Sequence, residues 1–343
     1  MPEAAIGERA ATLAEATYEA AALLRQSRFP VIAGLATDIA GAEAAVALAE
    51  AARGAIDHMH AAAVLADLGV MREAGWMIVT PREARARADV VVLVGGGLGA
   101  FVEDVGLDRP LTIGVERGRH VIRLAGESGD AADLPVTLAS LRALVAGRSI
   151  VGAAPSLRTT AKTLNEAAFG VAVWNAAMLD ALAIEMLCGL IDDLNTRTRF
   201  AGVPIAAACN GAGVAQATGW HTGLPMRTGF ARGRPEHDPW RFDASRLVES
   251  GEADAAVWVG GLDADVPSWI GKVPTVALDA PDTRFPVAPA IRINVGCPAI
   301  DHDAVLFDAR LGVLAVSRAR AASKVPRAAD VLRGITFALT SPC

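Results

Sequence analysis

Cysteine is scarce and scattered: Cys188, Cys209, Cys297 and Cys343 form no CxxC pair. That spacing excludes a disulfide framework and a cysteine-rich zinc or iron–sulfur site, and fits a reducing cytoplasm. Lysine is nearly absent, at positions 162, 272 and 324, so the positive charge is carried by Arg. With a net charge of −6 there is no overall electrostatic footprint for nucleic acid. Tyr18 is the one tyrosine and aromatics make up 5% of the chain, so apolar surface is mainly aliphatic. The longest apolar candidate, Val90–Val102, has 13 residues and contains four Gly. A bilayer span needs roughly 20, so no membrane segment is expected. Glu3 and Glu8 precede any apolar stretch, unlike a secretory signal. Neither a GxSxG elbow nor a Walker loop occurs, and Ser, His and Asp are too dispersed to nominate a triad.

The 343 residues suggest about two domains. The composition is 52% hydrophobic with a mean hydropathy of +0.35. In a chain without a membrane span this means an unusually large core or extensive burial against partner subunits, and the latter is favoured because obligate interfaces resemble a core cut in half.

Short apolar runs alternate with helical patterns, the signature of α/β architecture with a mainly parallel sheet. Strands are expected at Phe29–Leu35, Trp76–Thr80, Asp89–Val94, Leu111–Val115, His120–Leu124, Phe169–Trp174, Val203–Ala208, Ala255–Val259, Thr275–Leu278, Ala290–Val295, Ala304–Phe307 and Gly312–Ser317. Helices are expected at Ala40–Arg53, near Pro81, at Leu134–Val145, Leu157–Ala168, Leu179–Leu194, around Leu247 and Val248, and at Ala328–Gly334. Two cycles rhyme: FPVIAGL with FGVAVWN, and ADVVVLVGGG (Ala88–Gly97) with ADAAVWVGG (Ala253–Gly261). The simplest reading is an internal duplication of two Rossmann-like layers, with a hinge near Gly147–Pro155. This divides the chain into a first α/β domain at 1–150, a second at 151–290, and C-terminal strands and a helix at 291–343 that pack back on the first.

Gly95, Gly97 and Ala100 give GxGxxA after a strand, with Glu116 21 residues beyond Gly95, imitating a dinucleotide fingerprint. Gly106 and Pro110 leave too little room for the helix such a site needs, so a tight turn is favoured. Asp57, His58 and His60 (DHMH) place two imidazoles on one face of a strand, with no third ligand cluster. Asp301, His302 and Asp303 read as turn chemistry. Asp263 and Asp265 stand where α/β ligands bind, or cap a following helix. The long stretch Cys209–Pro239, rich in Gly and Pro with Arg227, Arg232, Arg234, His221 and His237, reads as largely irregular. A connection of that length lines a site or an interface. Arg forks suit carboxylates, so the three Arg border an anionic ligand or a partner, or else sit in a solvated loop.

The spacing Asn210, Gly213, Trp220, Thr222, Gly223, Pro225, Phe230, Gly233, Pro235 resembles the B subunit of formylmethanofuran dehydrogenase, a molybdopterin-dependent oxidoreductase. The likeness runs from about Ala20 to Gly334 and includes PVIAGLATDIAGAEAAVALAEAARGAID, ADVVVLVGGG, DLPVTLASLRALVAGR and ADAAVWVGGLDADVP. It implies a molybdopterin-oxidoreductase-like α/β fold. Asn210, Trp220, His221, Arg227, Arg232, Arg234 and Asp263 would outline the cofactor pocket. The family's N-terminal cysteine cluster, which binds a [4Fe–4S] centre, has no counterpart here, so the iron–sulfur domain is expected to be lacking. The family's Mo or W ligand, a Cys or selenocysteine after the strand matching ADVVVLV, falls at Gly95–Gly99, and no Cys or His lies between His60 and His120. The basic residues that precede the matching Asn are replaced by Ala206, Ala207, Ala208 and Cys209.

The chain therefore resembles the cofactor-free members of the family, the B subunits of the formyltransferase/hydrolase complex of methylotrophic bacteria. This implies a non-catalytic structural subunit in one-carbon metabolism, with no metal and with the Mo/W-pterin and [4Fe–4S] sites lost. Its partners would be the formyltransferase that moves a formyl group between tetrahydromethanopterin and methanofuran, the zinc amidohydrolase that hydrolyses formylmethanofuran to formate, and the remaining subunits. Methanofuran is a candidate ligand. The alternative is an active molybdopterin-dependent oxidoreductase subunit.

Overall fold

The computed structural model describes residues 3–111, 118–124, 133–262, 265–321 and 323–341. In chain order, a first group of elements is β1 (Ala4–Ile6), β2 (Arg9–Ala11), α1 (Leu13–Gln26), β3 (Pro30–Ala36), α2 (Ile39–Ala51) and β4 (Ala55–Ile56). Next come α3 (Ala61–Ala74), α4 (Pro81–Arg87), β5 (Val90–Val94), α5 (Gly99–Val105), β6 (His120–Leu124), α6 (Leu134–Val145), α7 (Pro155–Asn165), β7 (Gly170–Trp174), α8 (Ala181–Asn195) and β8 (Phe200–Pro204). The last group is α9 (Gly211–Thr222), β9 (Thr228–Gly229), β10 (Glu236–His237), α10 (Ala244–Glu249), β11 (Ala255–Gly260), β12 (Thr275–Asp279), β13 (Ile291–Asn294), β14 (Ala304–Asp308), β15 (Val313–Ser317) and α11 (Ala328–Thr340).

These elements form two compact units, Met1–Ala61 with Ala208–Phe307 and Leu314–Cys343, and Ala62–Ala207 with Asp308–Val313. The first unit is built on a nine-stranded sheet of order β10-β9-β4-β3-β11-β12-β13-β1-β2. Its centre, β4-β3-β11-β12-β13, is parallel, and β1 and β9 join it antiparallel. The second unit is built on the parallel sheet β6-β5-β7-β8. The Gly147–Pro155 hinge and the 150/151 boundary lie within the second unit, between α6 and α7, because strand pairing gathers segments distant in sequence.

The apolar runs have a direct cause. In β5, Val90, Val92 and Val94 enter one core and Val91 and Leu93 another, so both faces of the strand are buried and the run VVVLV needs no polar alternation. All seven residues of β3 are likewise buried. Helix starts follow capping chemistry: Thr12 and Glu15 form a capping box, and the Asp38 carboxylate accepts from the Gly41 N–H at 2.9 Å.

The repeated Ala-Asp before β5 and before β11 has one structural meaning. Asp254 precedes β11 and accepts from the backbone N–H of Arg28 and Phe29 and from the Ser27 hydroxyl, at the entry to the paired strand β3. Asp89 precedes β5 and accepts from the N–H of Ala168 and Phe169 at 2.9 Å, at the entry to its partner β7. Each carboxylate supplies acceptors to donors that the first rung of a parallel pair leaves over.

Several expectations about the elements need correction, and some positions lie outside the described residues. Cys209–Pro239 is not mostly irregular, since α9 fills twelve of its 31 residues and β9 and β10 four more. Its glycines lower helix propensity, and Gly213 allows close packing: a Cβ there would stand 2.3 Å from the Asn210 amide oxygen. Trp76–Thr80 is not a strand; it makes only the bridge of Ile78 with Gly202, beside the edge strand β8. The Val203–Ala208 strand is instead β8, three residues earlier, because its register with β7 begins at Phe200. A seven-residue helix, α5, does fit after the Gly95–Gly97 turn and ends at left-handed Gly106. The last helix runs to Thr340, since Gly334 is accommodated within it. Residues 112–115 of the strand expected at Leu111–Val115, and Glu116, lie outside the described residues.

Burial alone would raise the pKa of Asp254, but the hydrogen bonds from Ser27, Arg28 and Phe29 outweigh it and hold the carboxyl well below the usual range. Its stabilising effect is therefore present above the unfolded value of about 4 and lost as pH falls below it. Asp254→Ala is expected to lower stability by about 2 kcal/mol at neutral pH, and urea melts at neutral and acid pH should show the deficit shrinking as the medium is acidified. An unchanged urea midpoint would contradict this.

Candidate functional site

In α/β sheets ligands bind beyond the carboxyl ends of the strands, at the point where strand order reverses. In the first unit that point lies between β3, which leads through α2 to β4 on one side, and β11 on the other. The Cys209–Asn210 corner, which opens α9, sits there.

Asn210 is left-handed, with φ 61°, and its amide joins two segments. Its Nδ2 donates to the Thr37 carbonyl at 2.8 Å, just past β3, and its Oδ1 accepts from the Phe307 N–H at 2.9 Å. Cys209, also left-handed, accepts at its carbonyl from His58 Nε2 at 3.0 Å and places its thiol 3.4 Å from the Leu262 carbonyl. The Leu262 N–H in turn donates to the Ala36 carbonyl at 2.9 Å. The exits of β3, β4 and β11 are thus joined through one corner of the chain itself.

His58 is no strand residue, because β4 ends at Ile56. Its Nδ1 accepts from the His60 N–H at 3.0 Å, which leaves the proton on Nε2 for Cys209. Burial pushes its pKa down to about 4, so the ring is neutral and spends both nitrogens on backbone. The His58 and His60 ring centres lie 5.8 Å apart, with the planes tilted by 49°. Among the described residues no group of three His, Cys, Asp or Glu is placed to hold a metal ion.

A cleft of about 300 Å³ opens beside this corner, lined by Asp57, His60, Arg227, Asp243, Trp258 and Asp265. Gly34 makes its floor possible: its φ is +81°, and a Cβ there would lie 2.9 Å from the Trp258 indole. Arg227 is largely buried and its donors are engaged. Nε reaches Asp57 at 3.3 Å, one Nη reaches the Pro239 carbonyl at 2.6 Å, and the other pairs with Asp243. Asp57 also accepts from the Ala244 N–H at 2.9 Å, and burial raises its pKa to about 7 against the pull of Arg227. The sequence holds no local signal for this triad, whose members are up to 186 positions apart.

The remaining sequence-derived positions do not gather at one point. Trp220 is exposed near the end of α9, and the neighbouring His221 lies 3.5 Å from Glu43. Arg232 and Arg234 are exposed and share Glu236 at 3.4 and 3.3 Å. His237 contacts the Arg227 carbonyl through Nδ1 at 3.0 Å. Asp263 lies outside the described residues. Asp265 is exposed at the cleft mouth and, among the described residues, caps no helix. Asp301 accepts from the Cys297 N–H at 2.7 Å, turn chemistry as read from the sequence. His302 is buried 3.9 Å from Asp38, and its Nδ1 has no hydrogen-bond partner among the described residues.

In the second unit the equivalent reversal lies between β5 and β7. Gly95 and Gly97 have φ of 77° and 71° there. A Cβ on Gly95 would stand 2.7 Å from Leu179, and one on Gly97 would stand 3.2 Å from Asn175 and Met178.

No family model matches the chain. It is 35% identical over 337 residues to the Fhc B subunit of the formyltransferase/hydrolase complex of Methylorubrum extorquens, covering 94% of this chain and 92% of that protein. The chain belongs to this B-subunit family. A solved structure agrees: a chain of the formyltransferase/hydrolase complex FhcABCD from Methylorubrum extorquens, in complex with methylofuran, superposes with a TM-score of 0.92 and 34% identity over 98% of both chains. More remotely, the B subunit of tungsten-containing formylmethanofuran dehydrogenase 2 of Methanocaldococcus jannaschii is 24% identical over 78% of this chain and 69% of that protein.

This member of the B-subunit family is expected to depend on Asn210 for both bonds and backbone. Asn210→Ala should cost about 2–3 kcal/mol from the two lost hydrogen bonds and the left-handed backbone. Asn210→Gly should cost about 1 kcal/mol less, because glycine accepts that φ freely. Thermal melts ranking Gly at or below Ala would refute the role of the backbone.

Proposed function

We propose that this chain is a non-catalytic structural subunit of a formyltransferase/hydrolase complex that converts formyl-tetrahydromethanopterin through formylmethanofuran to formate. It works in the cytoplasm beside the formyltransferase, the zinc amidohydrolase and the remaining subunit, and its fold derives from that of molybdopterin oxidoreductases. The observation that carries this reading is likeness along nearly the whole chain to a subunit of such a complex.

The donor set supports the non-catalytic part. The family's tungsten or molybdenum would need a sulfur or selenium ligand at Gly95–Gly99. That turn offers glycines in left-handed conformations, backed by Leu179, Met178 and Asn175. A high-valent metal finds no thiolate there, so the residues present do not fit the group. At the switch point of the first unit, Asn210, Cys209 and His58 bond to the chain itself, and the Arg227 guanidinium faces Asp57 and Asp243 instead of a phosphate. The chain supplies shape and surface, while the chemistry belongs to its partners.

Co-expression with the other three subunits should yield one assembly of fixed stoichiometry by native mass spectrometry. Omitting this chain should prevent that assembly. The proposal fails if the remaining subunits assemble and turn over at the full rate without it.

A further inference from the structure

The second unit carries a basic surface in a chain whose net charge is −6. It lies where the chain enters β5 to β8. Arg87 and Arg199 lie over the Phe169 ring, 5.4 and 5.0 Å from its centre, and both reach Glu83, at 2.8 and 3.4 Å. Arg85 donates to the Pro110 carbonyl at 2.8 Å. Arg85 and Arg109 flank Gly106, 3.1 and 3.2 Å from where its Cβ would be. Arg119 donates to the carbonyls of Ala88, Arg85 and Arg109 at 2.9, 2.7 and 2.8 Å. Burial, and then the charge of Arg85, lower the pKa of Arg119. Arg82 is exposed on the same helix, α4.

The segments that carry these six guanidiniums, 82–89, 106–109, 119 and 199, hold three carboxylates. Glu83 is shared between two of the Arg. Asp89 is buried and accepts backbone N–H groups. Asp108 is the third, and its charge acts on Arg119. The patch keeps a positive excess, and its arginines are held in place by stacking and by carbonyls. Fixed guanidiniums lose little side-chain freedom on binding. Arg beside an aromatic ring is also the composition enriched at interface cores.

We infer that this face docks an acidic surface of another subunit of the complex, an inference that rests on the reading of the chain as a complex subunit. The charge distribution selects that partner. An acidic surface is repelled by the chain as a whole and drawn to this edge, which fixes orientation as well as contact. A nucleic acid, with charge along its whole length, would meet that same repulsion beyond the patch.

The test measures binding of this chain to the assembled remaining subunits by biolayer interferometry, at low and at high salt. The variants are Arg87→Gln/Arg109→Gln/Arg199→Gln and Arg109→Gln alone. The single variant leaves the contacts of Phe169 intact and serves if the triple variant does not fold. The wild type should bind with an affinity that falls as salt rises; the triple variant should bind at least about tenfold more weakly at low salt with a shallower salt dependence, and the single variant should shift the same way to a smaller extent. Equal affinity and equal salt dependence for wild type and folded variants would overturn the docking face while leaving the complex reading intact. No binding by the wild type would overturn both. A loss confined to self-association, or to binding of a short DNA duplex, would show that the partner class is wrong.

Discussion

The Asn210 amide is the contact on which the first unit's geometry turns. A parallel sheet leaves carbonyls and amides at its strand exits that water or a ligand must otherwise satisfy. Here one left-handed residue donates from its Nδ2 to the Thr37 carbonyl and accepts at its Oδ1 from the Phe307 N–H, while the carbonyl of its neighbour Cys209 accepts a hydrogen bond from His58. Three segments that leave the sheet far apart in sequence are held at the reversal between β3 and β11. Where α/β proteins commonly place a ligand, this chain places its own backbone and side chains.

A second constraint recurs in both units. Asp254 and Asp89 stand before β11 and β5 and grip the N–H groups entering β3 and β7. The repeated Ala-Asp-hydrophobic signature therefore encodes a strand-pairing device, and the desolvation of each carboxylate is offset by several donors.

Much of this was legible in the sequence. Runs such as VVVLV and PVIAGLA specify buried parallel strands because no residue in them needs water. The order and spacing of segments from Ala20 to Gly334 were enough to resemble the right family. Less legible was anything set by distant pairing. Residues 62–207 form a unit apart because β3 pairs with β11, more than 200 positions away. Helix α9 was hidden by its glycines, of which Gly213 packs closely against the Asn210 side chain. Asp57, Arg227 and Asp243 meet through tertiary structure alone, so an Arg that looks ready for an anion in sequence is already held by carboxylates in the fold.

On the proposed reading, this chain keeps the outline of an oxidoreductase component and holds no metal centre of its own. Elemental analysis for Mo, W and Fe on the intact purified complex, with the protein chains quantified by mass spectrometry, tests that claim most directly. Mo and W should be absent, with no iron attributable to this chain. Stoichiometric Mo or W per copy of this chain would contradict it.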